Sequence, residues 1–214
     1  MLPSKSLAAR TEAAAPGCKC IEELDLLTAV KIPFEDSKTQ YVDAEGSDGF
    51  PAIGFRTGSD VKMLWKAILP EKLFPEFSIL IRARPRSHNG GYIFAVVNSY
   101  ENIVQLGVKL SRTTANGMTS ISLIYTEPGQ LTTNTIANFT VNSFVHEWTR
   151  IALKVNEENV TLFLNCQESA SVEVRRQQLE LEFEPASTLY IAKAGSKIQD
   201  YYEVSVPPIG VVRI

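Results

Sequence analysis

VQLGVKL, the stretch Val104–Leu110, decides the fold of this sequence. Apolar side chains occupy every second position, and polar or small residues lie between them. A period of two residues is typical of a strand with one face buried and the other open to solvent. Ile151–Val155 and Leu179–Phe183 show the same alternation. The sequence therefore predicts a sheet protein whose strands each have one apolar face.

Short apolar runs between turn signals extend this pattern along the chain. Five further strands are predicted, at Phe77–Ala83, Gly91–Val97, Thr119–Tyr125, Val160–Cys166 and Leu189–Ala192. The turns between strands are marked by Asn89-Gly90-Gly91, Asn116-Gly117, Pro128-Gly129 and residues 156–159. Many short strands at this spacing favour an all-β antiparallel sandwich or barrel over alternating strands and helices.

The first 60 residues show a different pattern. Residues 1–20 are rich in Ala, Ser and Pro and predict a flexible tail. Residues 21–30 predict one short helix, with Glu22, Glu23 and Asp25 on its first turn, where the helix dipole favours acids. Residues 33–60 contain four glycines and are interpreted as a loop.

The composition is that of an ordinary globular protein. The 214 residues are 44% hydrophobic and 21% charged, which suits one larger domain or two small ones. Twelve glycines exclude a collagen triple helix within this chain. A net charge of −3 argues against a general nucleic-acid binder. The apolar runs are too short for a membrane span, and Arg10 and Glu12 break up any secretory signal after Met1.

Metal binding and nucleophilic catalysis have weak support in the sequence. Cys18 and Cys20 have no second ligand pair nearby, so no metal site and no cofactor are predicted. The G-x-S-x-G motif is absent. A pairing of His146 with Cys166 remains an open alternative, although a cysteine in an apolar strand is more often a small hydrophobe or half of a disulfide. No catalytic residue is predicted.

Acidic residues leave two further alternatives open. Glu180, Glu182 and Glu184 share one strand face, as the carboxylates of a sandwich-fold glycosidase or other carbohydrate-active enzyme would. The simpler interpretation is the solvated side of an amphipathic strand. A calcium-dependent lectin would need clustered oxygen ligands. Asp43, Asp48 and Asp60 are scattered along a predicted loop and do not establish such a cluster.

Basic residues form a more informative pattern. Arg82, Arg84 and Arg86 alternate on or just after one strand, so the first two should point to the same face. Two other groups are Lys109 with Arg112, on or near another strand, and Arg175 with Arg176, in a predicted turn. Arginine clusters bind sulfates and phosphates through bidentate contacts, although an ordinary solvated face is the common alternative. The sequence predicts glycosaminoglycan binding by Arg82, Arg84, Arg86, Lys109 and Arg112.

Two N-glycosylation sequons are present. They are Asn138-Phe139-Thr140 and Asn159-Val160-Thr161. Asn159 falls in a predicted hairpin turn, which is a suitable place for a glycan.

A resemblance to a known family extends from Gly49 to about Gly195. The matching runs are GFPA at 49–52, LFPEFSI at 73–79, GGYIFA at 90–95, VQLGVKLS at 104–111, ISLIYTEPG at 121–129, WTR at 148–150, VTLFLNC at 160–166 and AKAG at 192–195. In this order they resemble the thrombospondin N-terminal-like module, a relative of laminin G domains, and most of all the module of the type XV and type XVIII collagens. The run Tyr125–Gly129 is the most specific, and Leu24–Leu27 is similar to the family's upstream helix.

The resemblance implies a curved antiparallel β-sandwich of the concanavalin-like jelly-roll type, with a short N-terminal helix. It also implies a secreted, non-enzymatic component of basement membrane. Its expected partners are matrix proteins and glycosaminoglycans such as heparan sulfate, and the parent protein is expected to trimerise through collagenous segments outside this chain. The expected organisation is a tail at 1–20, the module at 21–206 and a divergent end at 207–214.

The C-terminal end departs from the family pattern. In the family, the cysteine that corresponds to Cys166 pairs with a cysteine just after the last strand, and no cysteine follows Cys166 in this chain. Pro207 and Pro208 are poor residues for a paired strand, because neither donates a ladder hydrogen bond. The sequence therefore predicts that Cys166 lacks its usual partner, as in a fragment, a splice variant or a faulty gene model.

Overall fold

The computed structural model describes residues 24–29, 41–45, 51–198, 200–202, 204–206 and 212–213. Within these ranges the chain forms short helices and strands. The helical segments are α1 Leu26–Ala29, a 3₁₀ turn Trp65–Ala67 and α2 Gly195–Ile198. The strands are β1 Tyr41–Glu45, β2 Pro51–Phe55, β3 Val61–Leu64, β4 Lys72–Leu73, β5 Phe77–Pro85, β6 Gly91–Val97, β7 Val104–Leu110, β8 Met118–Tyr125, β9 Thr135–Asn142, β10 Thr149–Val155, β11 Asn159–Leu164, β12 Gln167–Glu173, β13 Leu181–Glu182, β14 Thr188–Ile191, β15 Val204–Val206 and β16 Val212–Arg213.

Two large antiparallel sheets build the sandwich. One sheet runs β1-β2-β15-β5-β10-β11-β12, with β16 also paired to β5, and the other runs β3-β14-β6-β7-β8-β9. β13 and β4 form a separate two-stranded ribbon. One edge of β5 pairs with β10 over residues 77–83, and its other edge receives β15 and β16. The predicted all-β antiparallel sandwich is confirmed.

The core lies between the two sheets and follows the alternation of the sequence. Ile79, Ile81 and Leu153 from the first sheet meet Leu106 and Val108 from the second, and all are buried. The residues between them along each strand point outward, since successive side chains of a strand face opposite ways. This alternation fixes which basic residues reach the outer surface of β5.

The second sheet is also covered on its outer face, by a segment of the chain called here the strap: residues 192–198 and 200–202. Every residue of β6 is buried, because its inner face lies in the core and its outer face lies under the strap. Gly91 marks the crossing point. Its φ is +140°, and a Cβ there would stand 2.6 Å from the carbonyl oxygen of Tyr201. Only glycine allows the strap to lie this close to β6.

Several sequence-based assignments need correction. Residues 33–60 were expected to be a loop, yet β1 and β2 lie within them and pair with each other. β3, β9 and β12 were not predicted. β3 is short and β12 is polar, whereas β9 does alternate, with Ala137, Phe139 and Val141 buried between polar residues. The strand expected at Leu179–Phe183 pairs only over Leu181–Glu182.

The short N-terminal helix is confirmed as α1, with a later start than expected. Asp25 precedes the helix, and its Oδ1 accepts a hydrogen bond from the backbone N–H of Leu27 at 3.0 Å. Asp25 therefore acts as a cap, which satisfies an amide that the helix leaves open. Glu22, Glu23, the tail at 1–20 and residues 207–211 lie outside the described residues.

The C-terminal end forms a strand before the two prolines. β15 ends at Val206 and pairs with both β2 and β5. Val204 is buried in the main core.

In the described part of the chain, no helix is long and apolar enough to cross a bilayer.

Candidate functional site

The outer surface of β5 and β10 carries a cluster of basic side chains, called here the arginine face: Arg82, Arg84, Arg150 and the indole of Trp148. Arg82 and Arg150 lie directly opposite each other in the antiparallel register. The guanidinium carbon of Arg84 lies 5.1 Å from the centroid of the Trp148 ring, and that of Arg82 lies 5.9 Å away. The ring and the two guanidinium groups are close enough for cation–π attraction.

This arrangement concentrates positive charge. Like charges at opposite positions of an antiparallel pair destabilise the sheet, because their side chains are close. Among the described residues, neither Arg84 nor Arg150 forms an ion pair with a carboxylate. The side chain of Arg150 is exposed, and those of Arg82 and Arg84 are half-buried beside the indole. Arg84 and Arg150 can therefore offer two guanidinium groups to an anion in solution.

The five residues expected to bind glycosaminoglycan do not form one surface. Arg82 and Arg84 share the outer face of the first sheet, and Arg86 lies exposed just after β5. Lys109 lies on β7 in the other sheet, where its Nζ is 2.5 Å from Oδ2 of Asp200. Arg112 follows β7 and is exposed.

Lys109 and Arg112 line a separate cleft. The cleft has a volume of about 520 Å³, and Asn89, Asp200 and Tyr201 are among its other lining residues. The ammonium group of Lys109 also lies 5.1 Å from the centroid of the Tyr92 ring. Since Asp200 neutralises Lys109, this cleft offers less free positive charge than the arginine face.

Arg176 is a structural residue. Its side chain is buried and donates hydrogen bonds to the carbonyl oxygens of Leu179, Pro75 and Asn156 at 3.2, 2.8 and 2.7 Å. Its guanidinium carbon lies 5.3 Å from the centroid of the Tyr125 ring. The neighbouring Arg175 is exposed. The two adjacent arginines therefore do not act together as a basic patch.

The three glutamates on one strand face lie at the surface, as the simpler interpretation expects. Leu181 and Phe183 between them are buried, and Glu180, Glu182 and Glu184 are exposed. Nζ of Lys72 lies 2.7 Å from Oε1 of Glu182 and 3.9 Å from Oε2 of Glu180. The carboxylates of Glu180 and Glu182 are therefore components of exposed ion pairs, and that of Glu184 accepts a long hydrogen bond of 3.5 Å from the Ser99 hydroxyl.

The acidic residues considered for a lectin do not assemble among the described residues. The carboxylate of Asp60 bonds to Lys193 at 2.8 Å and to Lys62 at 2.7 Å. Although burial raises the pKa of Asp60, these two lysines lower it below its usual value overall. Asp43 lies in β1, and Asp48 falls outside the described part of the chain. No group of three metal-ligating side chains converges within the described ranges.

Cys166 lies at a turn instead of within a strand. β11 ends at Leu164, and Asn165 and Cys166 form the connection to β12 with φ values of 49° and 68°. Positive φ at both central residues gives a hairpin turn whose twist matches that of the strands. Cys166 is an exposed free thiol, and no described hydrogen bond joins it to His146. Cys18 and Cys20 lie outside the described residues.

Glu101 anchors the strap to the second sheet. Its carboxylate accepts hydrogen bonds from the hydroxyls of Tyr190 and Ser196, and from the backbone N–H of Ser196 at 2.8 Å. These bonds, led by the Ser196 hydroxyl, lower the pKa of Glu101 to about 2. Burial, followed by the contact with Glu101, raises the pKa of Tyr190, so its hydroxyl stays protonated and donates.

Acid is expected to weaken the strap through Glu101. The folded-state pKa of about 2 lies below the ordinary value of 4.5, so the stabilisation is present above about pH 4.5 and is lost as the pH falls toward 2. Solvent screening limits it to about 1 kcal/mol. We expect thermal unfolding of Glu101→Gln to vary less between pH 5 and 2 than that of the parent chain. Glu157→Gln, at an exposed loop position, is the control and should follow the parent curve.

Comparison with known proteins places this structure in a family. The chain is 38% identical over 192 residues to the human collagen alpha-1(XVIII) chain, which covers 90% of this chain and 11% of that relative. The chain belongs to the type XV/XVIII collagen family. It is a thrombospondin N-terminal-like, laminin G-like module of that family, and it spans about a tenth of the relative's length. No protein-family model matches the sequence.

A solved structure supports the fold of the collagen-family module. Domains LG4-5 of the mouse laminin alpha1 chain superpose with a TM-score of 0.52 at 12% identity, covering 81% of this chain and 44% of that one. The low identity limits this likeness to the fold. The laminin G-like jelly roll expected from the sequence is confirmed.

The most specific run of the module, Tyr125–Gly129, has a structural role. The hydroxyl of Tyr125 contacts the carbonyl oxygens of Gln178 and Leu179, each at 3.0 Å. Oε1 of Glu127 accepts hydrogen bonds from the backbone N–H groups of Gln177 and Gln178 at 2.6 and 3.2 Å. The run therefore fixes the segment before β13 to the end of β8.

Sequence reasoning missed two members of the arginine face, Trp148 and Arg150. The run Trp148-Thr149-Arg150 contributes to the family resemblance and carries no binding motif of its own. Arg150 alternates with the apolar residues Ile151 and Leu153, so the sequence alone predicts that its side chain points away from the core. The position of Arg150 opposite Arg82 could not be inferred from the sequence, because no local signal fixes which strands pair.

Proposed function

We propose that this module is a non-enzymatic interaction domain of the extracellular matrix, which binds heparan sulfate through the arginine face. It would be the secreted N-terminal non-collagenous part of a type XV/XVIII-like collagen in basement membrane. Trimerisation would come from collagenous segments outside this chain. Family membership supports the matrix setting. The choice of ligand rests on the placement of Arg82 and Arg84 beside the Trp148 ring, with Arg150 opposite Arg82 in the sheet.

The chemistry of the arginine face suits a sulfated chain. A guanidinium group donates two parallel hydrogen bonds to an oxyanion, which fixes orientation as well as charge. Side chains on neighbouring strands lie about 4.5–5.5 Å apart at Cβ. Several sulfate or carboxylate groups along one polysaccharide can therefore contact the face together.

An acidic protein can still present such a site. The net charge of the chain is −3, and the arginine face is a local exception to it. Glu180 and Glu182 bind Lys72, and Asp60 binds Lys62 and Lys193, so these carboxylates are held by other cations. Local charge of this kind gives binding that weakens with salt.

Heparin chromatography tests the proposal. We expect Arg84→Ala/Arg150→Ala to elute from immobilised heparin at a lower NaCl concentration than the parent chain, with an affinity reduced about tenfold, equivalent to about 1.4 kcal/mol. Lys109→Ala/Arg112→Ala removes the same charge from the cleft on the other sheet and is the matched control. Its retention should change little, because Asp200 already neutralises Lys109.

Two results would contradict the arginine face as the heparin site. One is unchanged elution of Arg84→Ala/Arg150→Ala. The other is a larger loss of retention in the control pair. Dextran sulfate is added as a competitor. It should displace a chain that binds any polyanion, whereas a chain that binds heparin selectively should stay bound.

A further inference from the structure

The two sequons occupy different environments in the folded module. Asn138 lies on β9, the edge strand of the six-stranded sheet, and Thr140 lies two residues further along. Both side chains are exposed, and the intervening Phe139 is buried in the core. Asn138 and Thr140 therefore point together to the outer surface, as a strand requires.

Asn138 is held in a defined orientation. The hydroxyl of Ser122, its partner across β8 and β9, donates a hydrogen bond to Oδ1 of Asn138 at 2.9 Å. No hydrogen bond to Nδ2 is found among the described residues. The Oγ atoms of Thr140 and Ser120, the next outward-facing pair, lie 3.5 Å apart. The side chain of Asn138 is thus exposed beside small polar side chains, which leave space for a sugar.

Asn159 differs from Asn138 in burial and position. It is half-buried at the start of β11, and its carbonyl oxygen accepts the backbone N–H of Asn156 across the hairpin. The hydroxyl of Thr161 forms a 3.0 Å hydrogen bond with that of Ser171. Thr161 lies opposite Lys154, so this sequon faces the same side of the sandwich as the arginine face.

We propose that Asn138, and not Asn159, carries an N-linked glycan. In the transfer, Nδ2 of Asn138 forms a bond to C1 of the first sugar of a lipid-linked diphospho-oligosaccharide. The bond between C1 and the diphosphate oxygen breaks, the lipid diphosphate leaves, and Nδ2 loses one proton. This inference rests on the proposed function, since it requires passage through the secretory pathway.

A glycan on Asn138 has a structural consequence for the module. Among the strands that the structure describes, β9 pairs with β8 alone, and an open strand edge can pair with another chain. A bulky, hydrated glycan on its outer surface would hinder such pairing. It would lie on the sheet opposite to the arginine face and leave that face accessible.

Intact-mass measurement in secreting animal cells tests the proposal. The full chain, carrying a cleavable secretion signal, is recovered from both cells and medium, and its mass is read before and after peptide-N-glycosidase treatment. The expected result is that the treatment lowers the mass by one glycan and converts Asn138 to Asp. This mass decrease should be absent in Thr140→Ala and unchanged in Thr161→Ala, the matched control.

The outcomes separate this inference from the proposed function. The inference is wrong if the chain lacks a glycan at Asn138 or carries one at Asn159, whether it is recovered from the cells or from the medium. A chain glycosylated at Asn138 but retained in the cells supports the inference and counts against the proposed extracellular role.

Discussion

Replacing Trp65 with alanine is expected to lower the free energy of unfolding by about 3–5 kcal/mol. The side chain is only 2% exposed, in the 3₁₀ turn between β3 and β4. Its ring centroid lies 5.1 Å from that of Phe183, and its Nε1 donates a 2.7 Å hydrogen bond to the carbonyl oxygen of Glu184. Alanine would leave a cavity and remove one of the two hydrogen bonds that the Glu184 carbonyl accepts, the other being from the backbone N–H of Ser187 at 3.0 Å. It therefore removes two kinds of stabilisation together.

Denaturant unfolding of three tryptophan variants tests this prediction. Trp65→Phe keeps an aromatic ring and loses the hydrogen bond, so its cost should lie between those of the parent chain and Trp65→Ala. Trp148, the other tryptophan of the chain, is half-buried on the outer surface. Trp148→Ala should cost less stability than Trp65→Ala and should weaken heparin retention more. Equal loss of stability in both alanine variants would contradict this division.

Replacing Arg176 with alanine is expected to cost about 2–4 kcal/mol, because three carbonyl groups lose their shared donor inside the fold. These carbonyls belong to Pro75, Asn156 and Leu179, which lie in three separate segments. The guanidinium group also lies 5.3 Å from the centroid of the Tyr125 ring. Arg176→Lys should recover only part of the loss, since an ammonium group lacks the planar geometry that reaches all three carbonyls.

Arg175 provides a matched control for this variant. It is the adjacent residue, it has the same side chain, and it is exposed. Arg175→Ala should change the free energy of unfolding by no more than about 0.5 kcal/mol. If Arg175→Ala and Arg176→Ala gave the same midpoint in urea, the structural role assigned to Arg176 would be wrong.

Regular alternation and short apolar runs between turn signals predict the central strands well, and the shortest strands poorly. Gly91–Val97 and Val104–Leu110 form strands with the expected bounds, because their apolar residues match the buried positions of a sheet. β1 and β2 were missed, since Tyr41–Glu45 and Pro51–Phe55 are only five residues each and lie among glycines. The two strands pair with each other, and β2 is joined to the rest of the sheet by β15, which is distant in the sequence.

The candidate site was only partly predictable for the same reason. Parity along β5 correctly grouped Arg82 with Arg84. The sequence placed Lys109 with them as a further binding residue, but the structure places it in the other sheet, bound to Asp200. Charge type is visible in a sequence, whereas the partner that neutralises a charge depends on the packing of distant segments.

The sequence by itself determined the all-β class, the inward and outward faces of the long strands and the turn at residues 156–159, because these depend on neighbouring residues. Tertiary structure decided the pairing of β5 with β10, which sets Arg150 opposite Arg82. It also buried Arg176 and exposed Cys166 at a turn. These features depend on strand register and on contacts between segments far apart in the chain, for which local sequence carries no signal.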